Sequence, residues 1–229
     1  DKKTIGWLVQ KELRELNALK NNPQQPFVLV LGGGKIETKL ALIQGMLDHV
    51  HTILLCPAVV FTFLKAMGKP VGISLVDDTL LETARKIMMH AAQKNVHIIF
   101  PADYQVADKT FESHLRIIYA DDFSVHDMGI SIGPETMSQW TPILQQAKTI
   151  FFNAAMGFAQ RPETLNGLHT LLSCIAMTKA HTVVGGGDSV AAVKQFGLTD
   201  KIGFLSTGGG STLAYLSGEQ LPGLIALYK

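Results

Sequence analysis

Short, almost unbroken apolar bursts alternate along the chain with segments whose apolar residues recur at helical spacing. The bursts are FVLVL ahead of three glycines in PFVLVLGGGK (26–35), TILLC (52–56), VHIIF (96–100), KTIFFN (148–153), HTVVGGG (181–187) and GFLSTGGG (203–210). Continuous apolar runs of this length, stopped by glycine or polar residues, predict strands buried on both faces. Between them, residues 58–67, 78–93, 135–147, DSVAAVKQF (188–196) and STLAYLSG (211–218) carry helical periodicity. Near the start, Ile5, Leu8, Val9, Leu13, Leu16 and Leu19 fall on one face of a predicted helix, which an Asn/Pro-rich turn at 20–26 ends. Strand–helix alternation with doubly buried strands predicts an α/β fold: a six-stranded parallel sheet between two helical layers. One stretch breaks the rule. Residues 104–133, with FESHLRIIYADD at their centre, alternate polar and apolar without a helix, which predicts a small antiparallel excursion.

Composition narrows the function classes. Hydrophobic residues make up 47% of the 229 positions, enough for a buried core. Twenty Lys+Arg against 19 Asp+Glu leave a formal charge of +1, which excludes a strong overall pull toward nucleic acid or an anionic membrane. No apolar run reaches the roughly 18–20 residues that span a bilayer. The two cysteines, Cys56 and Cys174, make neither a disulfide framework nor a zinc cluster, and a reduced, cytoplasmic setting is expected. Cys174 lies in the helical pattern LLSCIAM and reads as a core thiol; the eight histidines show no metal-ligand spacing.

Chemistry concentrates where the predicted strands end. In open parallel sheets, ligands bind at the carboxyl edge. Three glycine clusters fall there: Gly32–Gly34, Gly185–Gly187 and Gly208–Gly210, each following a strand and reading as the opening of a helix. A single cluster is adequately explained as a tight turn. Three on one edge predict a polyphosphate site, because glycine lets backbone N–H groups approach and helix N-termini carry positive potential. Lys35 and Lys39 follow the first cluster and would share a helix face, where an anion between them relieves their repulsion. Asp188 and Ser189 follow the second; Asp188 reads either as a helix cap or as a ligand for Mg²⁺ beside phosphate. Neither a Walker A loop nor G-x-G-x-x-G is present, which argues against a dinucleotide-dependent oxidoreductase.

LGGGKIETKL, IFFNAAMGF, VVGGGDS, STGGGSTL and LPGLIAL, in this order and spacing, closely resemble the motif series of the phosphoglycerate kinases. The resemblance covers essentially the whole chain. It implies a Rossmann-like sheet in strand order 3-2-1-4-5-6, with residues 1–20 as an interdomain helix and 21–229 as the nucleotide-binding domain. It further implies reversible phosphoryl transfer between ATP and 3-phosphoglycerate, the latter bound by an N-terminal domain that this sequence lacks; the start at Asp1 rather than Met reads the same way. The domain alone is expected to bind nucleotide without turnover, as a monomer, with no nucleic acid or membrane partner.

Position by position, the resemblance gives Lys39 to the nucleotide phosphates, Lys35 to the transferring phosphoryl group and Asp188 to Mg²⁺. Gly186, Gly187 and Ser189 complete that phosphate loop, and Gly208, Gly209 and Gly210 stabilise transition-state charge. Leu75, Gly129 and Ile130 line the adenine pocket, and Asn153 is the asparagine of W-N-G-P. The sequence also departs from the pattern. W-N-G-P-x-G-x-F-E stands here as Phe152 to Gln160, so Gln160 replaces the glutamate that holds the ribose, while Ala154 and Ala155 replace Gly-Pro. Cys56-Pro57-Ala58-Val59-Val60 replaces G-G-x-M-A. The phosphate end is therefore expected to be preserved and the nucleoside end altered, with weaker or less base-selective binding. A domain that holds nucleotide for a structural or regulatory purpose is the alternative.

Overall fold

A computed structural model describes residues 4–110 and 114–228. Residues 1–3 of the expected N-terminal helix segment, Phe111–Ser113 at the start of the alternating run, and Lys229 lie outside the described residues.

The chain runs α1 (Trp7–Asn21), β1 (Phe27–Gly33), α2 (Ile36–Met46), β2 (Thr52–Ala58), α3 (Val59–Ala66), α4 (Leu81–Gln93) and β3 (His97–Ile99). An excursion follows: β4 (Asp103–Ala107), β5 (Arg116–Tyr119) and β6 (Met128–Ile132). The rest is α5 (Pro134–Gln146), β7 (Thr149–Asn153), α6 (Asn166–Ala176), β8 (His181–Val184), α7 (Gly187–Gln195), β9 (Phe204–Leu205), α8 (Gly210–Ser217) and α9 (Pro222–Tyr228). The main sheet has six strands in the order β3-β2-β1-β7-β8-β9, every neighbouring pair parallel. Counted within that sheet, this is the expected 3-2-1-4-5-6. The excursion is a three-stranded antiparallel sheet, β5-β4-β6.

Why the strands carry no alternation is visible at β1. Phe27, Leu29 and Leu31 point into one core with Leu40 and Ile43 of α2, Ile87 of α4 and Leu216 of α8. Val28 and Val30 point into the other, with Trp140 and Leu144 of α5 and Leu171 of α6. Successive side chains of a strand face opposite ways, so a sheet covered on both sides needs apolar residues at every position. Helices on either face complete three layers.

α5 shows how remote residues shape an element. Its cap residue Gly133 has no side chain to offer, yet the helix begins sharply with Pro134. Asp103 of β4, buried, accepts from the Glu135 N–H (3.0 Å), the Thr136 N–H (2.7 Å) and the Thr136 hydroxyl (2.6 Å). The carboxylate thus caps first-turn groups 32 and 33 residues away in sequence and ties the small sheet to the main body.

The predicted first helix is α1, with Leu16 and Leu19 buried and Leu8 and Val9 exposed. One expectation is corrected. The first glycine cluster does not open a helix: Gly32 and Gly33 still belong to β1, and Lys35 is the cap residue of α2. Gly32 is needed there for close packing, since a Cβ would lie 2.7 Å from Cys56 Cβ and from the Pro57 carbonyl oxygen.

Candidate phosphate-binding site

At the carboxyl ends of β1, β7 and β8 lies a cavity of about 390 Å³. Its wall combines Gly32, Gly33, Gly34, Lys35 and Lys39 from the first loop and α2 with Asn153 from β7. Gly186, Gly187, Asp188 and Ser189 come from the second loop, and Gly209 and Gly210 from the third. The last two loops lead straight into helices: α7 starts at Gly187 and α8 at Gly210. First-turn N–H groups have no acceptor within their helix, so two sets of free donors and two positive dipole ends border one space. Thr38 and Leu213, which sequence motifs did not single out, also line it, as do Ala154 and Ala155, so the replacement of Gly-Pro falls in this cavity and not at the nucleoside end.

The cations sit unequally. Lys35 is exposed, whereas Lys39 is only 7% exposed. Burial, reinforced by the charge on Lys35 and opposed by Asp188, lowers the Lys39 ammonium from its usual 10.5 to about 8. Its Nζ donates to Asn153 Oδ1, and Asn153 Nδ2 donates to the Gly185 carbonyl. The next residue, Gly186, has φ +91°, and a Cβ there would run into Asn153 Nδ2. Both backbone and space demand glycine at this point.

Asp188 is the second residue of α7, exposed and cavity-lining. No side-chain capping bond is formed at this helix start, and no ion pair involves Asp188 among the described residues. Of the two sequence readings, cap or metal ligand, the geometry leaves the carboxylate open for a hard cation. Ser189 is buried, its hydroxyl donating 3.0 Å to the Ala154 carbonyl, so it pins α7 to the end of β7. What Ser189 has free for a phosphate is its first-turn N–H.

The nucleoside-side candidates do not line this cavity. Leu75 is half exposed and lies against the first loop, 3.1 Å from where a Gly34 Cβ would be. Gly129 is buried under the Phe61 ring, its N–H donating 2.9 Å to Ser74 Oγ. Ile130 is buried, and its carbonyl accepts from the Gly157 N–H at 2.8 Å. Gln160 is exposed in the short bridge between Phe158 and Arg161. Only Leu75 and Gln160 of these four are exposed; Gly129 and Ile130 are covered by the protein itself. Cys56, fully buried beneath Gly32, has its thiol pushed far up by burial and serves as packing.

One contact beside the site has no signature in any motif. Glu12 of α1 accepts from the N–H (2.7 Å) and hydroxyl (2.9 Å) of Thr207, the residue before the third glycine cluster. With Tyr215 Oη donating to Asn17 Oδ1 at 2.7 Å, α1 is bound to the loop and helix that close the site.

Three glycine loops, two lysines and an open carboxylate thus meet at the carboxyl edge of a parallel α/β sheet. The profile of the phosphoglycerate kinases matches residues 1–219, and the chain belongs to that family. Phosphoglycerate kinase of Finegoldia magna is 39% identical over 221 residues, covering 96% of this chain and 56% of the relative. That of Coprothermobacter proteolyticus is 38% identical over 222 residues, with coverage of 97% and 56%. Among solved structures, phosphoglycerate kinase from Coxiella burnetii superposes with a TM-score of 0.91 at 34% identity, over 97% of this chain and 58% of that one. The Pyrococcus horikoshii structure gives a TM-score of 0.80 at 26% identity, covering all of this chain and 58% of its own. The chain therefore spans a little over half the length of the relatives it matches. Among the described residues no helix is long and apolar enough to cross a membrane.

Proposed function

We propose that this chain is the nucleotide-binding half of a phosphoglycerate kinase, taking part in reversible phosphoryl transfer between MgATP and 3-phosphoglycerate in glycolysis. The observation that carries the reading is the single cavity shared by three glycine loops, Lys35, Lys39 and Asp188. Phosphoryl transfer asks little covalent chemistry of a protein; it needs in-line positioning and stabilisation of charge on the transferring group. Lys39 holds the nucleotide phosphates, Lys35 meets the moving phosphoryl group, and the amides of Gly187 and Gly209 receive the developing negative charge. Mg²⁺, held by Asp188 together with phosphate oxygens, neutralises part of the polyphosphate charge. Leu75, Gly129, Ile130, Asn153 and Gln160 belong to the nucleotide side. The acceptor 3-phosphoglycerate binds on a second domain, so the 229-residue chain alone binds nucleotide without turnover. The near-neutral charge supports a site without nucleic acid or membrane partners, and two buried free thiols support a reducing cytoplasm; a monomer is what the family resemblance implies.

The cavity's polarity favours the phosphates over the base, and Gln160 offers the ribose a neutral amide in place of a carboxylate. Calorimetry tests the reading. MgADP should bind the chain, Lys39→Met and Asp188→Ala should each lose at least tenfold, and MgGDP should follow MgADP within about tenfold. No MgADP binding removes the function; strong ADP selectivity removes only its relaxed base preference. A nucleotide-holding domain with a regulatory role is favoured by the exposed Gln160 and the Cys56-Pro57 departures. It is separated by adding a phosphoglycerate-binding domain in trans: turnover supports the kinase, and none supports the holder.

A further inference from the structure

We propose that His51 and His97, at the amino edge of the main sheet, form a two-histidine chelate for Zn²⁺ or another imidazole-preferring divalent transition metal, with water in the remaining coordination positions. The phosphate cavity lies at the carboxyl ends of the strands, so this site is separate from it and independent of how it is read.

Parallel pairing brings two histidines together that no local spacing relates. β2 and β3 align with Thr52 opposite His97, and the His97 N–H donates 3.1 Å to the His51 carbonyl. With the backbones joined in this way, the two rings stand with centroids 5.3 Å apart, inclined at 50°. Two imidazoles on one tetrahedral ion, with metal–nitrogen bonds of roughly 2.0–2.1 Å, hold their centroids about 5 Å apart. Both residues are exposed, so side-chain rotation alone brings a nitrogen of each ring to a common point, and water reaches the other positions. Among the described residues no group of three or more His, Cys, Asp or Glu is placed to hold a metal, which limits the protein's own ligands to this pair.

The surroundings suit this role. His51 Nδ1 lies 2.9 Å from the hydroxyl of Thr52, itself only 4% exposed. A ring that donates its Nδ1 hydrogen to that oxygen keeps the Nε2 lone pair for a metal, which is how metal-ligating histidines are held in orientation. In the turns leading into the two strands, Lys94 pairs with Asp48, so their charges cancel and ligand type selects the ion. Neutral imidazole suits Zn²⁺, Ni²⁺ and Cu²⁺, whereas Mg²⁺ and Ca²⁺ seek oxygen. β3 is the outermost strand of its sheet, three residues long, and pairs there with β2. An ion with one ligand from each strand ties this edge down and, because the ligands converge only when the strands are aligned, favours the folded chain.

Calorimetry with ZnCl₂ on the 229-residue chain tests the site, with excess Mg²⁺ present to fill any hard-cation position such as Asp188. One Zn²⁺ should bind per chain, and His51→Gln and His97→Gln should each weaken it by roughly tenfold or more. Asp188→Ala should leave Zn²⁺ affinity unchanged, because its carboxylate lies at the other end of the strands. Both histidines are exposed, so the glutamine variants keep the fold, which circular dichroism checks. Zn²⁺ should also slow amide exchange in β3 of the wild type and leave it unaltered in either histidine variant. Wild-type chain that binds no Zn²⁺, or Zn²⁺ affinity and β3 protection that are the same in wild type and both folded variants, overturns the proposal. Neither result bears on MgADP binding, so the functional reading stands or falls separately.

Discussion

Glu12 and Thr207 stand 195 residues apart, yet one carboxylate oxygen of Glu12 accepts both the N–H and the hydroxyl of Thr207. The first helix is thereby fastened to the loop that closes the phosphate site from the far end of the chain. Bonds to a charged acceptor are among the stronger ones in a protein. Glu12→Ala should cost about 1–2 kcal/mol in urea unfolding and speed hydrogen exchange at the Thr207 amide, while Glu12→Gln keeps an acceptor and loses less.

Asp103 offers a sharper stability test. Removing its carboxylate leaves the Glu135 and Thr136 N–H groups without their acceptor, while the buried Thr136 hydroxyl keeps only the Asp103 main-chain carbonyl at 3.0 Å. Asp103→Ala should destabilise the chain by about 2–3 kcal/mol in urea unfolding, with exchange at the start of α5 accelerating first. Equal protection of α5 in wild type and variant would contradict the capping role.

Acid sensitivity should trace in part to Asp127. Burial alone would raise this carboxyl, but hydrogen bonds from Ser124 and the Arg116 guanidinium outweigh it and hold the group below the usual carboxylate range. The folded state therefore binds this proton less readily than the unfolded chain. The stabilisation is complete above about pH 4 and lost as pH falls through the lower folded value. Urea midpoints measured from pH 5 to pH 2.5 should fall less steeply in Asp127→Asn than in wild type.

Lys39 carries an opposite cost. Its drop from 10.5 to about 8 corresponds to roughly 3 kcal/mol of disfavoured charge in the ligand-free fold. The unfolded chain binds the extra proton between those values, so the penalty is full below about pH 8 and fades as pH approaches 10.5. Lys39→Met should raise the Tm at pH 7, with the advantage shrinking toward pH 10.5, while losing at least tenfold in MgADP affinity. A variant less stable than wild type at pH 7 would show that the lysine's packing outweighs its buried charge.

The carboxyl-edge placement of the glycine clusters was legible because each ends an apolar burst, and a buried parallel strand can only be followed by a turn at that edge. Lys35, Lys39, Asp188 and the second and third glycine loops could be assembled on paper for that reason. Leu75, Gly129, Ile130 and Gln160 could not be weighed in the same way. Whether Gly129 is open or covered depends on the Phe61 ring from α3, and Gln160 lies in an irregular segment whose path no periodicity dictates. The first glycine cluster looked like a helix start, but its first two residues extend β1, because pairing with β2 continues to Gly33.

By itself the sequence determined the α/β class, the doubly buried strands, the small antiparallel excursion and the family motifs, since all are written in local periodicity and spacing. Tertiary structure alone decided that Glu12 grips Thr207, that Asp103 caps α5, and that Asn153 stands between Lys39 and the Gly185 carbonyl. Such contacts join polar groups far apart along the chain. Their geometry follows from how strands are ordered and helices packed, and one side chain's partner is fixed only once every neighbour has been placed.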